Sequence, residues 1–205
     1  TGYVQRKLVK AMEDLMVGYD FSVRSSSGSI IQFIYGNDGM DATYVESQSL
    51  LLTKLSYNEL LDKFHFNENT DWTKYYNKSM ATKAKEIKRE KLDDIFITLM
   101  DHREYIISNI FNGDIQNNIN YPIHIQRIVE NTVKKKKKSN ILPIDIYNGN
   151  KKLIKLLFIR EDFENNKLLE ILIDIHLNPK LLISEYKITR EEYKIIYKTI
   201  IERFK

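Results

Sequence analysis

The N-terminal segment of the sequence combines an aromatic ring with basic side chains at helical spacing. It reads TGYVQRKLVKAMED, and four of its residues recur three or four positions apart: Tyr3, Arg6, Lys7 and Lys10. On a helix this spacing places them on one face, so a ring able to stack on a base lies one turn from cations that reach phosphates. The pattern is typical of nucleic-acid binding. The alternative is a solvated basic face that pairs with Glu13 and Asp14.

Other side chains with catalytic or metal-binding potential do not form a recognised pattern. The histidines stand alone in the sequence, and none belongs to an H-E-x-x-H pair: His65, His102, His124 and His176. Ser27 lacks the G-x-S-x-G context of a nucleophile, and no G-x-x-x-x-G-K-S/T loop is present. We therefore predict packed or solvated histidines, with no catalytic residue, metal site or cofactor in this chain.

Composition and charge limit the class of protein. The 205 residues carry 32 basic and 28 acidic side chains, a net charge of +4, so any nucleic-acid contact must be local. The chain has no cysteine, which excludes disulfides, thiolate catalysis and zinc sites with cysteine ligands. No apolar run is long enough to span a membrane, and the first residues lack a secretory pattern. We expect a soluble intracellular protein with no membrane partner.

Five consecutive lysines, Lys134 to Lys138, form the densest charge run in the sequence. Such runs occur in nuclear-localisation signals and nucleic-acid-binding patches. An exposed loop in a protein rich in Asn, Ile and Lys is the alternative. We favour the loop because no aromatic residue interleaves the lysines.

The element pattern predicts a mainly α fold with a small β-hairpin, which is an α+β class. The opening helix carries an apolar stripe that should pack on a core: Val4, Leu8, Met12, Leu15 and Tyr19. Two strands, at 21–24 and 29–35, should follow around the turn sequence SSSG.

Capping boxes predict where two later helices begin. Ser56 with Glu59, and Thr189 with Glu192, each show the S/T-x-x-E pattern ahead of apolar residues. The last helix should present a buried stripe: Tyr193, Ile196, Tyr197, Ile200 and Phe204.

Proline and glycine predict two further boundaries. Pro122 suits the first turn of a helix that carries Ile125, Ile128 and Val133. Gly149 with Asn150 should separate that region from the next helical run.

Several segments of the sequence resemble one protein family. The stretches TGYVQRKLVKAMEDLMVGYD, VRSSSG, IIQFIYGNDGMDA and YVESQ are similar to the largest subunit of eukaryotic-type multisubunit DNA-directed RNA polymerase, in its polymerase II-like form. The stretches NYPIHIQRIVENT and EYKITREEYKIIYKTIIERF continue the resemblance more weakly. It implies that residues 1–50 form the C-terminal part of the bridge helix and a cleft hairpin. Residues 51–205 are then expected to form a helical, foot-like region.

The resemblance implies contact with template DNA. Tyr3 and Arg6 match template-facing positions of the family, and Lys10 lies on the same face. Lys7 stands where the family usually has Arg, which keeps the charge and loses bidentate phosphate geometry. The family's NADFDGD loop, whose aspartates hold catalytic Mg²⁺, and its trigger loop do not occur in this sequence. We therefore expect a non-catalytic internal segment of a larger nucleotidyltransferase subunit.

The partners implied by the resemblance are the second-largest and small polymerase subunits, template DNA and the RNA–DNA hybrid. The implied location is the nucleus, or the virion and host cytoplasm for a viral enzyme. The alternative is a free-standing helical module, derived from a polymerase segment, that binds proteins or DNA.

Overall fold

The computed structural model describes residues 1–37, 39–68, 70–111, 118–134, 138–158 and 163–204. The chain divides into two compact units, Thr1–Val45 and Glu46–Lys205. The fold is mainly helical with small antiparallel sheets, as the sequence predicts for an α+β protein. None of the helices in the described ranges is both long and apolar enough to cross a membrane.

The first unit contains one helix and a three-stranded sheet. Helix α1 (Gly2–Met12) leads into the antiparallel strands β1 (Met16–Val17), β2 (Val23–Arg24) and β3 (Ile30–Gln32), in the order β1-β2-β3. The predicted hairpin is therefore confirmed, and β1 adds an edge strand that the sequence pattern did not indicate. Gly28 has a φ of +81°, the left-handed conformation that the turn between β2 and β3 requires.

The apolar stripe of α1 is exposed, so the prediction that it packs on a core is wrong for this chain. No residue of α1 is buried, and Val4, Leu8 and Met12 are each at least 56% exposed. The helix also ends at Met12, which places Tyr19 outside it. Helical spacing in the sequence identifies an apolar face, but it does not show which surface, if any, covers that face.

The second unit contains the remaining helices and a two-stranded antiparallel sheet. Strands β4 (Glu46–Ser49) and β5 (Asn118–Tyr121) pair along their full lengths. The helices are α2 (Leu51–Lys54), α3 (Tyr57–Phe64), α4 (Lys78–Lys85), α5 (Arg89–Tyr105), α6 (Ile125–Thr132), α7 (Pro143–Leu156), α8 (Phe163–His176), α9 (Pro179–Ser184) and α10 (Arg190–Phe204). A π-helical turn, Ile106–Ile110, extends α5.

The core of the second unit is built around α8. Its residues Leu169, Ile171, Leu172, Ile173 and Ile175 are all buried, and α8 packs against α5, α6 and α7. Because these apolar side chains surround the helix axis, α8 must be covered by neighbours on several sides. This helix therefore organises the second unit.

Both predicted capping boxes are present. The Ser56 hydroxyl accepts from the Glu59 amide at the start of α3, and the Glu59 carboxylate accepts from Ser56 N. At the start of α10, the Thr189 hydroxyl accepts from Glu192 N (3.4 Å), and Glu192 Oε2 accepts from Thr189 N (2.9 Å). Short-range spacing therefore predicts these two helix starts correctly.

Two other boundary predictions are wrong. Pro122 does not lie in the first turn of α6, because β5 ends at Tyr121 and α6 begins only at Ile125. Gly149 and Asn150 lie inside α7. An added Cβ at Gly149 would lie 2.9 Å from Tyr193 Cε1 and closer to its hydroxyl, so this glycine allows the Tyr193 ring to approach α7. Asn150 accepts from that hydroxyl at 2.8 Å.

Two residues of the lysine run have structural contacts. Lys138 Nζ donates to the carbonyls of Thr73 (3.2 Å) and Tyr76 (3.0 Å), and Lys134 N donates to Glu192 Oε1 (3.2 Å). Both lysines are exposed, as expected for a loop. Residues 135–137 lie outside the described residues, so the role of the full run stays a prediction.

Candidate nucleic-acid interface

Helix α1 displays the four predicted DNA-binding residues together. Tyr3, Arg6, Lys7 and Lys10 all lie in α1 and are all exposed. The helix contains no acidic residue between Gly2 and Met12. At 100° per residue these four positions occupy one side of the helix, and Val4, Leu8 and Met12 occupy the other. The result is a basic face with one aromatic ring.

Tyr3 and Lys7 form an intrahelical cation–π pair. Lys7 Nζ lies 5.1 Å from the centroid of the Tyr3 ring, within the range of an attractive interaction. Tyr3 nevertheless stays 70% exposed. The contact brings the two side chains together and leaves most of the ring surface free for a base or sugar.

The other two cations, Arg6 and Lys10, differ in whether a neighbouring side chain pairs with them. Arg6 makes no hydrogen bond or ion pair with any residue that the structure describes. Lys10 Nζ pairs with Glu13 at 3.0 Å on the exposed surface. Such surface pairs contribute about 0–1 kcal/mol, so a phosphate can compete for Lys10 at small cost. Arg6 is the cation most available for phosphate contact, and its guanidinium fork suits phosphate oxygens.

The first unit has one more basic residue, Arg24, and it is engaged. Arg24 Nη2 pairs with Asp20 Oδ2 at 2.8 Å, and Arg24 Nε donates to Ser22 Oγ at 2.9 Å. The Ser22 hydroxyl donates to Asp20 Oδ1, and this bond, followed by the Arg24 contact, lowers the pKa of Asp20 to about 2. Residues 1–45 carry four basic and five acidic side chains, so the positive face of α1 is local.

A second cluster of functional side chains lies between α5 and α8. His102 Nε2 and Asp174 Oδ2 are 3.0 Å apart, and one ligand atom each from His102, Glu170 and Asp174 lie within 4.8 Å of one another. In the sequence His102 stands alone, and the fold brings it beside these two carboxylates. His65 also has a partner, Asp93 Oδ1 at 2.8 Å. The prediction was of packed or solvated histidines, and His102 and His176 are packed, since both are buried.

The sequence contained one signal for this cluster. Glu170 and Asp174 stand four residues apart within the otherwise apolar stretch from Leu168 to Ile175, where isolated acids require a partner. Nothing local identifies His102, which is separated from Asp174 by 72 positions. Only the packing of α5 on α8 brings them together.

Comparison with known proteins identifies the family. Residues 40–205 match the family described as RNA polymerase Rpb1, domain 6. Over 94% of its length the chain is 25% identical to DNA-directed RNA polymerase subunit 1 of Acanthamoeba polyphaga mimivirus. Over its whole length it is 27% identical to DNA-directed RNA polymerase II subunits RPB1-B and RPB1-A of Trypanosoma brucei brucei.

The chain spans 14% of the length of each of these relatives. The family match begins within the first unit, and the alignments with the trypanosome subunits include α1 as well. Because the matched residues make up most of the sequence, the chain belongs to the RNA polymerase Rpb1, domain 6 family.

Proposed function

We propose that this chain serves within the largest subunit of a DNA-directed RNA polymerase, where α1 contacts template DNA and residues 46–205 support the assembly. The observation that carries the DNA role is the exposed face of α1, on which an aromatic ring lies beside two cations, Arg6 and Lys7, that have no carboxylate partner among the residues that the structure describes. The similarity to polymerase largest subunits supports the wider assignment.

The residues of this face have distinct roles in the proposal. Tyr3 supplies a stacking surface, which is tolerant of sequence because every base has a π-face. Arg6 supplies the bidentate phosphate contact, and Lys7 adds charge while it holds the Tyr3 ring. Lys10 joins the contact once a phosphate replaces Glu13. Contacts of this kind position a strand and do not read its sequence.

The catalytic Mg²⁺ of a polymerase does not fit the residues described in this chain. Mg²⁺ prefers a set of oxygen ligands. In the described ranges, the single group of three metal-ligating side chains includes the imidazole of His102. In the first unit, Glu13 pairs with Lys10, and Asp20 pairs with Arg24. The proposal therefore assigns nucleotide transfer to other parts of the enzyme and positioning to this chain.

The implied partners are other polymerase subunits and nucleic acid. Val4, Leu8 and Met12 leave an apolar side on α1, opposite the basic face. In the proposal, neighbouring parts of the polymerase cover this side, so that the helix presents only its basic face to DNA. An isolated helix with the same two faces would be far less ordered.

Substitution in the intact polymerase tests the proposal. We expect Tyr3→Ala with Arg6→Ala to slow elongation by roughly tenfold, since loss of base stacking alone costs about 1–3 kcal/mol. The measurement is the elongation rate on a defined template, with subunit stoichiometry determined by mass spectrometry. An unchanged rate in a fully assembled enzyme would contradict template contact.

A matched control removes the same chemistry elsewhere. Tyr44→Ala with Lys194→Ala deletes one exposed ring and one exposed cation outside α1, and it should leave elongation unchanged.

Isolation of the native chain tests the wider assignment. Stoichiometric recovery with a second-largest polymerase subunit supports it, whereas recovery without polymerase subunits favours a free-standing interaction module.

A further inference from the structure

We propose that His102, Glu170 and Asp174 form a binding site for a Zn²⁺ ion that joins α5 to α8. The site differs from the sequence-based prediction, which contained no metal site. It is also independent of the proposed DNA contact, because all three residues lie in the second unit.

The ligand atoms have nearly the separations that a shared ion requires. Zn²⁺ binds imidazole nitrogen and carboxylate oxygen at about 2.0–2.2 Å, so neighbouring ligands of a tetrahedral site lie about 3.3–3.5 Å apart. His102 Nε2 and Asp174 Oδ2 are 3.0 Å apart, and the whole group lies within 4.8 Å. The Glu170 side chain has three torsions, which allow its carboxylate to adjust towards the other two ligands.

The two helices fix the ligands on facing surfaces. Glu170 and Asp174 are four residues apart, which places them one turn apart on one side of α8. His102 follows Leu99 on the buried stripe of α5, and α5 packs directly on α8. The imidazole is held by the surrounding core, as a well-ordered ligand must be.

Burial distinguishes this group from an ordinary surface cluster. His102 is 2% exposed, and the side chains of Asp174 and Glu170 are 16% and 32% exposed. A partly buried carboxylate loses part of its hydration, and a bound cation replaces the lost water. Glu170 leaves a route for an ion to enter from solvent.

A cation already occupies the edge of the group. Lys167 Nζ lies 3.0 Å from Glu170 Oε2 and 6.0 Å from the centroid of the Tyr105 ring. The ammonium group therefore competes with a metal for Glu170. Removal of Lys167 should therefore strengthen metal binding, an effect opposite in sign to removal of a ligand.

The donor set selects the metal. One imidazole and two carboxylates suit Zn²⁺, while Mg²⁺ and Ca²⁺ prefer oxygen ligands alone. Three protein ligands leave a fourth position for water. The chain has no cysteine, so no thiolate competes for the ion.

The His65–Asp93 pair offers a control of the same chemistry within the chain. Its two side chains are 2.8 Å apart, yet Arg89 Nε lies 3.7 Å from the Asp93 carboxylate. In the part of the chain that the structure describes, no third metal-ligating side chain completes that pair. It should not bind Zn²⁺ tightly.

The test is calorimetric titration of the purified chain with ZnCl₂, alongside thermal unfolding. We expect one tight site, no comparable binding of Mg²⁺, and a Tm increase of about 5–10 °C at a hundredfold excess over Kd. Glu170→Gln should weaken binding at least tenfold, because it removes a ligand charge and preserves side-chain volume. Lys167→Met should tighten binding severalfold, and Asp93→Asn should leave it unchanged.

Circular dichroism of each variant establishes that it is folded, and Glu170→Gln is the decisive variant because Glu170 is the least buried ligand. Absence of saturable Zn²⁺ binding would overturn the site. Equal losses of Zn²⁺ affinity in Glu170→Gln and Asp93→Asn would overturn it as well, because the ion would then not depend on these three ligands. His102→Ala, where it folds, should abolish the tight phase.

Discussion

At the scale of single residues, His176 is a buried base at the end of α8. It is 3% exposed, and its Nε2 has no hydrogen-bond partner among the described residues. Burial, with a smaller contribution from nearby His124, lowers the pKa of His176 to about 4. The folded chain therefore holds this imidazole neutral at pH values where an exposed histidine is protonated.

His176 should make stability depend on pH in a defined window. The unfolded chain protonates this group near pH 6.5 and the folded chain near pH 4, so the stability present above pH 6.5 is lost as pH falls towards 4. The full loss is roughly 3 kcal/mol. The measurement is the free energy of unfolding by urea at intervals from pH 7.5 to pH 4.5.

The matching variant is His176→Leu, which fills the site with an apolar side chain and cannot titrate. Its absolute stability differs from that of the parent chain, so the comparison is between the slopes with pH. We expect the variant to lose markedly less stability over the window. Parallel curves for the two proteins would show that His176 is not the group responsible.

At the scale of elements, α10 shows how far spacing determines burial. The predicted stripe is confirmed at its centre, where Tyr193, Ile196 and Ile200 are buried, and Ile196 and Ile200 have no exposed area. Ile195 belongs to the same helix and is 53% exposed. The helix therefore provides a comparison between identical side chains in opposite environments.

Truncation of these isoleucines should separate the two faces. Ile196→Ala and Ile200→Ala should each lower the free energy of unfolding by about 2–5 kcal/mol, since each leaves a cavity in packed surroundings. Ile195→Ala should change it by less than about 0.5 kcal/mol. Urea denaturation of the three variants measures both effects. Similar losses of unfolding free energy at all three positions would contradict this assignment of the buried and exposed faces.

The elements also show which predictions sequence alone supports. The capping boxes at Ser56 and Thr189 depend on atoms three residues apart, so the chain specifies them locally. Gly149 is wrongly predicted to be a boundary. A glycine is needed there because the Tyr193 ring packs against it, and that ring is 44 positions away in the sequence. The His102–Asp174 contact was missed for the same reason. Local rules find helix ends, whereas sites made by packing require the fold.

At the scale of the whole molecule, buried residues are distributed unevenly between the two units. Among the described residues of Thr1–Val45, only Ser22 and Val23 are buried, while the large apolar core lies within Glu46–Lys205. Apolar burial drives folding at about 25 cal/mol per Å². The second unit therefore has the means to fold alone, and the first does not.

Dividing the chain between its units tests this conclusion. Residues 46–205 without the first unit should unfold cooperatively, with a Tm within about 3 °C of that of the whole chain, because the core is retained. Residues 1–45 alone should show no cooperative transition, since a two-residue core cannot offset the conformational entropy of ordering the segment. Differential scanning calorimetry of the three proteins distinguishes the outcomes. A cooperative transition in residues 1–45 would mean that its local network, including the Asp20–Arg24 pair, suffices to fold it, and α1 would then need no covering surface.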